Sequence, residues 1–559
     1  MERRIRAVLF DLDDTLYDCT GMLVESARRR AASALVAAGL PCTEDEAYEL
    51  QIHYQEEYGP RSNVFEKIVE RYKMDLSLVD KALEAYNSDE VMGIEPFPDV
   101  IPTLTSLKDE GYKLALITTG VHRRQERKIE LLGIRDFFDH IEVNDSERGL
   151  LRGDAFQHVL DELNVRGDQA ITVGDRIHSE IRLAKSYGTM TVQMLHGRFK
   201  KLIPDREEER PDFRIYRISE LPTVLQLAER QQVAGQPNIV VIGGGTGMPV
   251  VLTGLRRFTR NLTAIVTVTD SGRSSGKLRN ELGILPPGDI RNCLVALSES
   301  DQLLNDLFQY RFANGTLEGM SFGNLLLAAM AKVTGNFEKG LREVSRILNI
   351  SGRVIPATLT DTHICARLVD GRIIEEEFNV REVGKAPIEE VYLQNDQVEP
   401  CEDALAEIAR ADLIVMGPGS LFTSIISNLL VPRISEAIRA SRAKKVYVSN
   451  IVTQPGQTDG FTAIDHIEAV EKYLGEGELD EFIVNNFTPP DDIMEAYRAE
   501  GAELVLPDEG LRARQKPEII EDNLIENLSE RRRLWEKQDL LRHDTNRLAF
   551  HLIRTLYSG

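Results

Sequence analysis

Cysteine is scarce in this sequence, and long apolar runs are missing. The five cysteines among 559 residues are odd in number and never stand in C-x-x-C spacing, which argues against a disulfide framework and a cysteine-based zinc site. The opening segment MERRIRAVLFDLDD has an apolar run too short for a signal peptide, and no uninterrupted run of about 18 apolar residues suggests a membrane span. We therefore expect a cytoplasmic protein with reduced thiols and no membrane span.

Basic residues are also fewer than acidic residues. Lysine and arginine number 67 against 90 aspartate and glutamate residues, which gives a net charge of −23. Such a charge repels nucleic acid and anionic membrane surfaces unless a local basic patch overrides it, so we expect no nucleic-acid partner. A hydrophobic content of 42% over 559 residues is enough for several cores, and two or three domains are expected.

Short apolar runs alternate with amphipathic helical segments along almost the whole chain. This alternation predicts the α/β class, with two Rossmann-like parallel-sheet domains. Residues 16–95 lack strand-like runs and predict a helical cap inserted into the first domain, which we place at residues 1–230. The polar, turn-forming segment QVAGQP indicates a linker at residues 231–236, followed by a second domain at residues 237–559.

Carboxylates follow two of the apolar strands of the first domain. Asp11 and Asp13 come after AVLF and share one face of the extended chain, while Asp175 follows AITVG and Glu180 begins a helix. Carboxylates that face a phosphate need a cation, and Mg²⁺ prefers oxygen ligands. The hydroxyl and backbone N–H of Thr118, at a third strand end, are suited to phosphate oxygens. Each residue taken singly is equally consistent with a solvated turn or a cap, but the ordered set predicts Mg²⁺-dependent phosphate chemistry.

This ordered set, with DLDDTLYD at 11–18 and VGDRIHSEI at 173–181, resembles the haloacid dehalogenase superfamily of phosphohydrolases over roughly residues 1–220. The resemblance implies that Asp11 is the nucleophile, Asp13 the general acid/base and Thr118 the phosphate-holding residue. It also implies Mg²⁺ beside Asp11, Asp13, Asp175 and Glu180. Glu180 stands where many members of the superfamily have the shorter aspartate.

A lysine forms the third motif of that superfamily, where it neutralises the phosphate and the nucleophile. The corresponding segment here, RGLLRGDAF, offers Arg152 instead. Arginine keeps the charge but is not equivalent to lysine, so an active phosphatase and a binding-only module both remain open. The basic run HRRQERK at 122–128 is typical of a solvated helix face, and contact with an anionic substrate is the alternative.

Glycine-rich turns follow strands of the second domain. The segment VVIGGGTGM does not fit the dinucleotide fingerprint, because Gly247 stands one residue before the place of the third glycine, which Met248 occupies. The segment TDSGRSSGK is not a P-loop, because three residues rather than four separate Gly272 from Gly276. Both turns still offer backbone N–H groups to a phosphate-bearing ligand. With GILPPGDIRN and MGPGSLF, they predict one extended anion-binding cleft.

These turns, together with SFGNLLLAAM and LLRHDTNRLAF, closely resemble the gluconeogenesis factor family, within the CofD-like superfamily of phospholactate transferases, from about residue 238 to the C-terminus. The resemblance implies a Rossmann-like domain that binds UDP-N-acetylglucosamine and regulates cell-envelope precursor supply and cell shape. Tyr497 and Arg542 would contact the nucleotide sugar through an aromatic face for uracil and a guanidinium for the diphosphate. For Tyr497, a half-buried packing role is the alternative. The expected binding residues are Gly243, Gly244, Gly245, Thr246, Gly247, Asp270, Ser271, Gly272, Arg273, Ser274, Asp289, Arg291, Asn324, Gly417, Gly419, Ser420, Tyr497 and Arg542.

Two further interpretations of the chain remain open. In one, the C-terminal domain transfers a phospholactate-type group from a nucleotide diphospho donor, with Asp270 or Asp289 as a metal ligand. In the other, both domains only bind their ligands. The expected partners are UDP-N-acetylglucosamine and a small phosphorylated substrate, with a regulated enzyme and a second copy of the chain as further candidates.

Overall fold

The structure of the protein is a computed structural model. It describes residues 4–58, 63–86, 91, 93–144, 152–200, 202–270, 272–526 and 541–557. The chain divides into two compact units, Met1–Val233 and Ala234–Gly559. Each unit contains a parallel sheet connected by helices, which confirms the α/β class and the two Rossmann-like domains.

Six parallel strands form the sheet of the N-terminal unit: β1 (Ala7–Phe10), β2 (Lys113–Thr119), β3 (His140–Asn144), β4 (Ala170–Gly174), β5 (Met190–Met194) and β6 (Phe213–Ile215). Their order is β3-β2-β1-β4-β5-β6. Strands β1 and β4 are apolar and fully buried, as expected for strands covered on both faces. The order of connection reverses between β1 and β4, so the carboxyl ends of these two strands border the crevice where such sheets bind ligands.

Helices connect these strands and also build the cap. They are α1 (Glu25–Ala37), α2 (Glu44–Tyr58), α3 (Val64–Arg71), α4 (Ser77–Tyr86), α5 (Val100–Asp109), α6 (His122–Leu132), α7 (Arg152–Glu162), α8 (Arg182–Ser186) and α9 (Leu221–Ala234). Helices α1 to α4 lie between β1 and β2 and pack around their own apolar cluster, which includes Leu35, Phe65, Ile68 and Leu78. The helical cap insertion is therefore present.

The strands of the C-terminal unit form two sheets. They are β7 (Ile239–Gly243), β8 (Leu262–Val266), β9 (Arg353–Pro356), β10 (Ile364–Leu368), β11 (Ile373–Glu375), β12 (Ile388–Leu393), β13 (Leu413–Met416), β14 (Lys444–Val448), β15 (Glu481–Asn485) and β16 (Glu518–Asp522). The main sheet is parallel, in the order β16-β15-β14-β13-β7-β8-β9, and its switch point lies between β13 and β7. A small antiparallel sheet, β11-β10-β12, was not predicted from the sequence.

The helices of the C-terminal unit cover the main sheet. They are α10 (Gly247–Leu255), α11 (Arg273–Leu282), α12 (Gly288–Leu297), α13 (Gln302–Gln309), α14 (Phe322–Thr334), α15 (Phe337–Ile347), α16 (Glu377–Val380), α17 (Glu402–Arg410), α18 (Ser427–Leu429), α19 (Ile434–Ala440), α20 (Ala463–Leu474), α21 (Asp491–Ala499), α22 (Glu509–Arg512) and α23 (Thr545–Thr555). Residues of β13, β14 and β15 and of the helices beside them form the largest part of one buried apolar core.

Helix α9 continues through Ala234, so the first four residues of the predicted linker at residues 231–236 are helical. The boundary between the two compact units, after Val233, lies within this segment. Gly235 follows in the left-handed region, with φ of 79°, a conformation that glycine adopts without steric cost.

Within the described residues, no single helix is long and apolar enough to cross a bilayer. Leu421–Leu429 and Ile434–Ala440, bent by 74°, have the length and composition of a span only as a pair. Residues of this pair, among them Ile425, Ile426 and Ile434, are fully buried in the core of the C-terminal unit.

Candidate functional sites

Three carboxylates converge at the switch point of the N-terminal sheet. Asp11 directly follows β1, Asp175 directly follows β4, and Glu180 lies in the helical turn Ile177–Ile181. One oxygen from each lies within 4.8 Å of the others, and all three side chains are buried. A Cβ atom at Gly174 would lie 2.6 Å from Glu180 Oε2, so a larger residue at this position would require the Glu180 carboxylate to shift.

This cluster fits a divalent cation. Both carboxylate oxygens of Asp175 are buried without a hydrogen-bond partner among the described residues. Burial, followed by the charges of Glu180 and Asp11, raises the pKa of Asp175 well above its usual value. A buried group of acids with unsatisfied oxygens is costly unless a cation compensates it, and oxygen ligands are those that Mg²⁺ prefers. Asp11, Asp175 and Glu180 are therefore the residues that would hold Mg²⁺.

Asp13 faces a different partner from the other acids. Lys128 Nζ lies 2.7 Å from Asp13 Oδ1 and 2.9 Å from Oδ2, and the Tyr17 hydroxyl donates to Oδ1 at 2.5 Å. Burial would raise the pKa of Asp13, but the charge and hydrogen bonds of Lys128 and the hydrogen bond from Tyr17 outweigh it, so the pKa is lowered. Asp13 was also predicted beside the metal, and this stays a prediction. Its carboxylate pairs with Lys128 and is not part of the group formed by Asp11, Asp175 and Glu180.

Helix α6 supplies two residues that the sequence interpretation missed. The prediction of a solvated face for residues 122–128 was wrong for Gln125 and Lys128, which are 2% and 5% exposed. Gln125 donates to the hydroxyl of Thr118, which is itself buried at the end of β2. The buried side of α6 consists of Gln125, Lys128, Ile129 and Leu132. Their helical spacing indicates one buried face, although the many charged residues of this segment suggest a solvated helix.

Arg152, the predicted substitute for the lysine, begins α7, but its side chain lies outside the described residues. Another arginine, Arg176, lies beside the acidic cluster, with Nε 3.7 Å from Asp175 Oδ1 and 3.9 Å from Glu180 Oε1. Burial by itself would lower the pKa of Arg176, but Glu180, Asp11 and Asp175 raise it. Among the described residues, Lys128 and Arg176 thus supply the positive charge next to these acids.

A polar cavity of about 510 Å³ opens at the switch point of the C-terminal main sheet. It is lined by Gly245, Thr246, Gly247, Val250, Asp270, Asp289, Asn292, Glu377, Arg381, Pro418, Gly419, Ser420, Ser424, Asn450, Ile451, Val452, Gln454, Leu541, Arg542 and His543. The turns after β7 and β13, the start of α12 and the LRHD segment therefore meet in one place, as an extended cleft requires.

Close backbone contacts explain the glycine spacing in the turn after β7. A Cβ atom at Gly247 would lie 2.3 Å from the carbonyl oxygen of Pro418, and one at Gly244 would lie 2.6 Å from Asp289 Oδ2. Gly417 has φ of 79°, and a Cβ there would lie 2.8 Å from the carbonyl oxygen of Val448. Gly247 thus lets the turn after β7 approach the turn after β13, and Gly417 lets the latter approach the end of β14, a requirement that differs from the dinucleotide fingerprint.

Two acids that line this cleft, Asp270 and Asp289, interact electrostatically. Burial and the neighbouring Asp270 raise the pKa of Asp289 to about 6, although the backbone N–H of Gly245 lowers it in part. Asp270 Oδ1 accepts a hydrogen bond from the backbone N–H of Gly272 at 2.7 Å. An added cation would relieve the repulsion between the two carboxylates.

Some predicted residues lie outside the described lining of the cavity. Gly243 ends β7, and Arg291 and Asn324 lie at α12 and at the first turn of α14. Tyr497 packs against Ile451 and Met494 in a small apolar cluster, which matches the packing alternative. Its hydroxyl accepts a hydrogen bond from the backbone N–H of Leu541 at 2.9 Å, so it supports the segment that carries Arg542. Ser271 and the side chains of Arg273 and Ser274 lie outside the part of the chain that the structure describes.

His543, which lines the cavity, was not predicted. Its Nε2–H donates to the carbonyl oxygen of Ser449 at 3.0 Å, and burial lowers its pKa to about 4. His543 is therefore neutral at physiological pH. The LRHD segment contained this residue, but only the fold shows that it faces the cleft.

Comparison with known proteins agrees with both resemblances. The haloacid dehalogenase-like hydrolase family matches residues 8–194, and the N-terminal domain is accordingly haloacid dehalogenase-like. The gluconeogenesis factor of Bacillus subtilis is 45% identical over 323 residues, which cover 57% of this chain and 98% of that protein. The gluconeogenesis factor of Halalkalibacterium halodurans is 45% identical over 313 residues, 56% of this chain and 94% of that one.

A solved structure supports the same assignment of the C-terminal domain. The crystal structure of a UPF0052 family protein from Bacillus halodurans has a TM-score of 0.53 and 44% identity, covering 57% of this chain and 99% of that one. The C-terminal domain is thus gluconeogenesis factor-like. The family described as 2-phospho-L-lactate transferase CofD matches residues 239–525, more than half of the chain, and the protein therefore belongs to the CofD family.

Proposed function

We propose that the N-terminal domain is a Mg²⁺-dependent phosphohydrolase in which Asp11 is the nucleophile. The observation that supports this most strongly is the buried group of Asp11, Asp175 and Glu180 beside the Lys128–Asp13 pair. Mg²⁺ held by these acids would offset the repulsion between the carboxylates and a phosphate. Thr118, oriented by Gln125, lies at the neighbouring strand end, where a phosphate oxygen can accept its backbone N–H.

The reaction divides between two aspartates. A carboxylate oxygen of Asp11 attacks phosphorus, the bond from phosphorus to the leaving oxygen breaks, and Asp13 gives that oxygen a proton. Water then attacks the aspartyl phosphate, Asp13 takes a proton from the water, and phosphate leaves with Asp11 regenerated. Lys128 lowers the pKa of Asp13. Once the substrate phosphate draws the Lys128 ammonium towards itself, this pKa rises, and Asp13 takes up a proton from solvent before it acts as the acid.

A phosphatase screen with sugar phosphates and nucleotides tests this activity, run with Mg²⁺ and with a chelator. We expect turnover that requires the ion and disappears in Asp11→Asn. The activity proposal fails if no substrate in the screen is hydrolysed under conditions in which the protein is folded. The binding-only interpretation would then hold for this domain.

We infer that the C-terminal domain binds a nucleotide sugar, with UDP-N-acetylglucosamine as the first candidate, and acts as a regulator of cell-envelope precursor supply and cell shape. The strongest support is the polar cavity into which the backbone of the turns after β7 and β13 and Arg542 all face. Backbone N–H groups and a guanidinium are the donors that a diphosphate needs. Relatives that match almost their full length are named gluconeogenesis factors, which agrees with a regulatory role.

Calorimetry with UDP-N-acetylglucosamine tests the binding proposal, with a guanosine nucleotide as the comparison ligand. We expect saturable heat with the uridine compound only. Heat with the guanosine nucleotide alone would contradict the assignment. A regulated enzyme partner and self-association stay predictions.

Two acids in the lining of this cavity, Asp270 and Asp289, favour a second candidate function for it. They could hold a cation during transfer of a phospholactate-type group from a nucleotide diphospho donor, as the name of the CofD family suggests. Incubation with such donors, a phosphorylated or hydroxy-acid acceptor and Mg²⁺ tests the idea. Absence of any transfer product while UDP-N-acetylglucosamine still binds would leave the regulatory function.

A further inference from the structure

A second group of metal-binding side chains lies in the N-terminal domain, on edge strand β3 and helix α7. His140 and Glu142 stand two residues apart on β3, so their side chains share one face of the sheet. His158 comes from α7, which packs against β3. None of the three belongs to the group formed by Asp11, Asp175 and Glu180.

Both histidines point at one carboxylate oxygen. His140 Nε2 lies 3.2 Å from Glu142 Oε2, and His158 Nδ1 lies 2.8 Å from the same oxygen. The three donor atoms lie within 4.8 Å of one another, and the two imidazole planes cross at 88°. A tetrahedral ion with ligands about 2.0–2.1 Å away separates its donor atoms by about 3.3–3.4 Å. A small outward movement of these side chains would therefore make room for an ion.

The chemistry of the three side chains suits a divalent ion. Such an ion accepts the lone pairs of two neutral imidazoles and compensates the charge of the Glu142 carboxylate. The second nitrogen of His158 lies 3.7 Å from Glu162 Oε1, where an outer carboxylate can orient a metal-bound imidazole.

We propose that His140, Glu142 and His158 bind a divalent transition-metal ion of the Zn²⁺ class, which ties the edge strand β3 to α7. Two imidazoles and one carboxylate form a donor set found in zinc sites, whereas Mg²⁺ prefers oxygen ligands alone. The side chain of His158 is 54% exposed, so an ion can enter from solvent and keep water in its remaining position. This site is independent of the phosphatase proposal, because it uses none of the same residues.

Zinc binding by the full chain tests the proposal directly. The chelator-treated protein is titrated with Zn²⁺ against a colorimetric chelator in excess Mg²⁺, so that Mg²⁺ competes at the oxygen-only site of Asp11. We expect one Zn²⁺ per chain, and a loss of affinity of roughly tenfold or more in His158→Gln and in Glu142→Gln. With Co²⁺ as the probe, the visible absorption of a four-coordinate site should appear in the wild type and be lost in these variants.

Two variants serve as matched controls. His53→Gln removes a histidine that also lies near a glutamate, Glu57, but belongs to no group of three potential ligands in the described part of the chain. Asp11→Asn changes the other metal group. Both should bind Zn²⁺ as the wild type does. The proposal is overturned if the wild type retains no Zn²⁺ under excess Mg²⁺, or if His158→Gln binds Zn²⁺ as tightly as His53→Gln.

Discussion

The candidate site of each domain lies at the switch point of a parallel sheet, but the residues at the two switch points differ in charge and in the groups they offer. In the N-terminal sheet the strands on either side of the switch point end in Asp11 and Asp175. In the C-terminal sheet the corresponding strands end in the glycine turns that contain Gly247 and Gly417. The first edge concentrates negative charge and suits a cation, whereas the second exposes backbone donors, which suit the anionic ligand that we propose there.

This difference teaches that a parallel sheet supplies the place of a site and not its chemistry. Carboxylates at the strand ends allow covalent and proton-transfer steps, and they require a buried countercharge such as Lys128. Glycine turns allow close approach of two loops and a ligand. The comparison predicts that changes at one site abolish chemistry, while changes at the other weaken binding.

The largest effect is expected for Asp11→Asn. Loss of the nucleophile should lower phosphatase turnover by roughly 10³-fold or more, because the remaining amide cannot form the aspartyl phosphate. Binding of UDP-N-acetylglucosamine, measured by calorimetry, should not change, since the two domains have separate cores. Asp45→Asn, an exposed acid of the cap, is the control and should keep full activity. Loss of both phosphatase turnover and nucleotide-sugar binding in Asp11→Asn would contradict the independence of the two sites.

A smaller loss is expected for Lys128→Gln. Removing this charge should lower kcat/KM by about 10²–10³-fold, the cost of losing one electrostatic stabiliser of a transition state. The pKa of Asp13 should rise without Lys128, so the basic limb of the kcat/KM profile, on which Asp13 loses the proton it needs as the general acid, should move to higher pH. Steady-state kinetics across pH measure both effects.

Arg127→Gln is the matched control for that experiment. Arg127 is the preceding residue of α6, but its side chain is 56% exposed and pairs with Glu130. Its replacement should leave kinetics and the pH profile unchanged. Equal behaviour of the two variants would mean that Lys128 stabilises the fold only.

In the C-terminal domain, Arg542→Gln should reduce affinity for the nucleotide sugar by about 10–100-fold, which corresponds to one lost charge-assisted hydrogen bond. Calorimetry gives the dissociation constant. Arg554→Gln, an exposed position on α23, should bind normally. Phosphatase turnover should be the same in both variants. An unchanged dissociation constant in Arg542→Gln would show that the guanidinium of Arg542 does not contribute to binding of the nucleotide sugar.

The smallest effect is expected for the stability of Asp289→Asn. The folded state raises the pKa of Asp289 from 3.8 to about 6, so the folded state loses free energy relative to the unfolded state as the pH rises from 3.8 to about 6. The variant should gain about 1–3 kcal/mol near pH 7, and the gain should vanish as the pH falls below about 3, where Asp289 is protonated in both states. Denaturant unfolding in a chelating buffer measures this, with the exposed Asp396→Asn as control. A gain that is constant with pH would contradict the assigned pKa.

Residue order along the chain was enough to predict the α/β architecture and which residues follow its strands. Strands such as AVLF and AITVG are buried on both faces, and their apolar runs show this without any tertiary information. The carboxyl ends of parallel strands lie at one edge, so the meeting of Asp11 with Asp175 also follows from their places after two strands. The glycines after β7 and β13 could be located in the same way.

Contacts between distant segments were decided only by the tertiary structure. Lys128 and Asp13 are 115 positions apart, and composition alone suggested a solvated face for the helix that carries the lysine. Tyr497 is half-buried against Met494 and supports Leu541 because the fold brings α21 to the LRHD segment. His140, Glu142 and His158 come together through packing of β3 against α7. Local pattern fixes which residues emerge at a strand end, because backbone geometry is periodic, whereas side-chain partners depend on which helix packs beside that end.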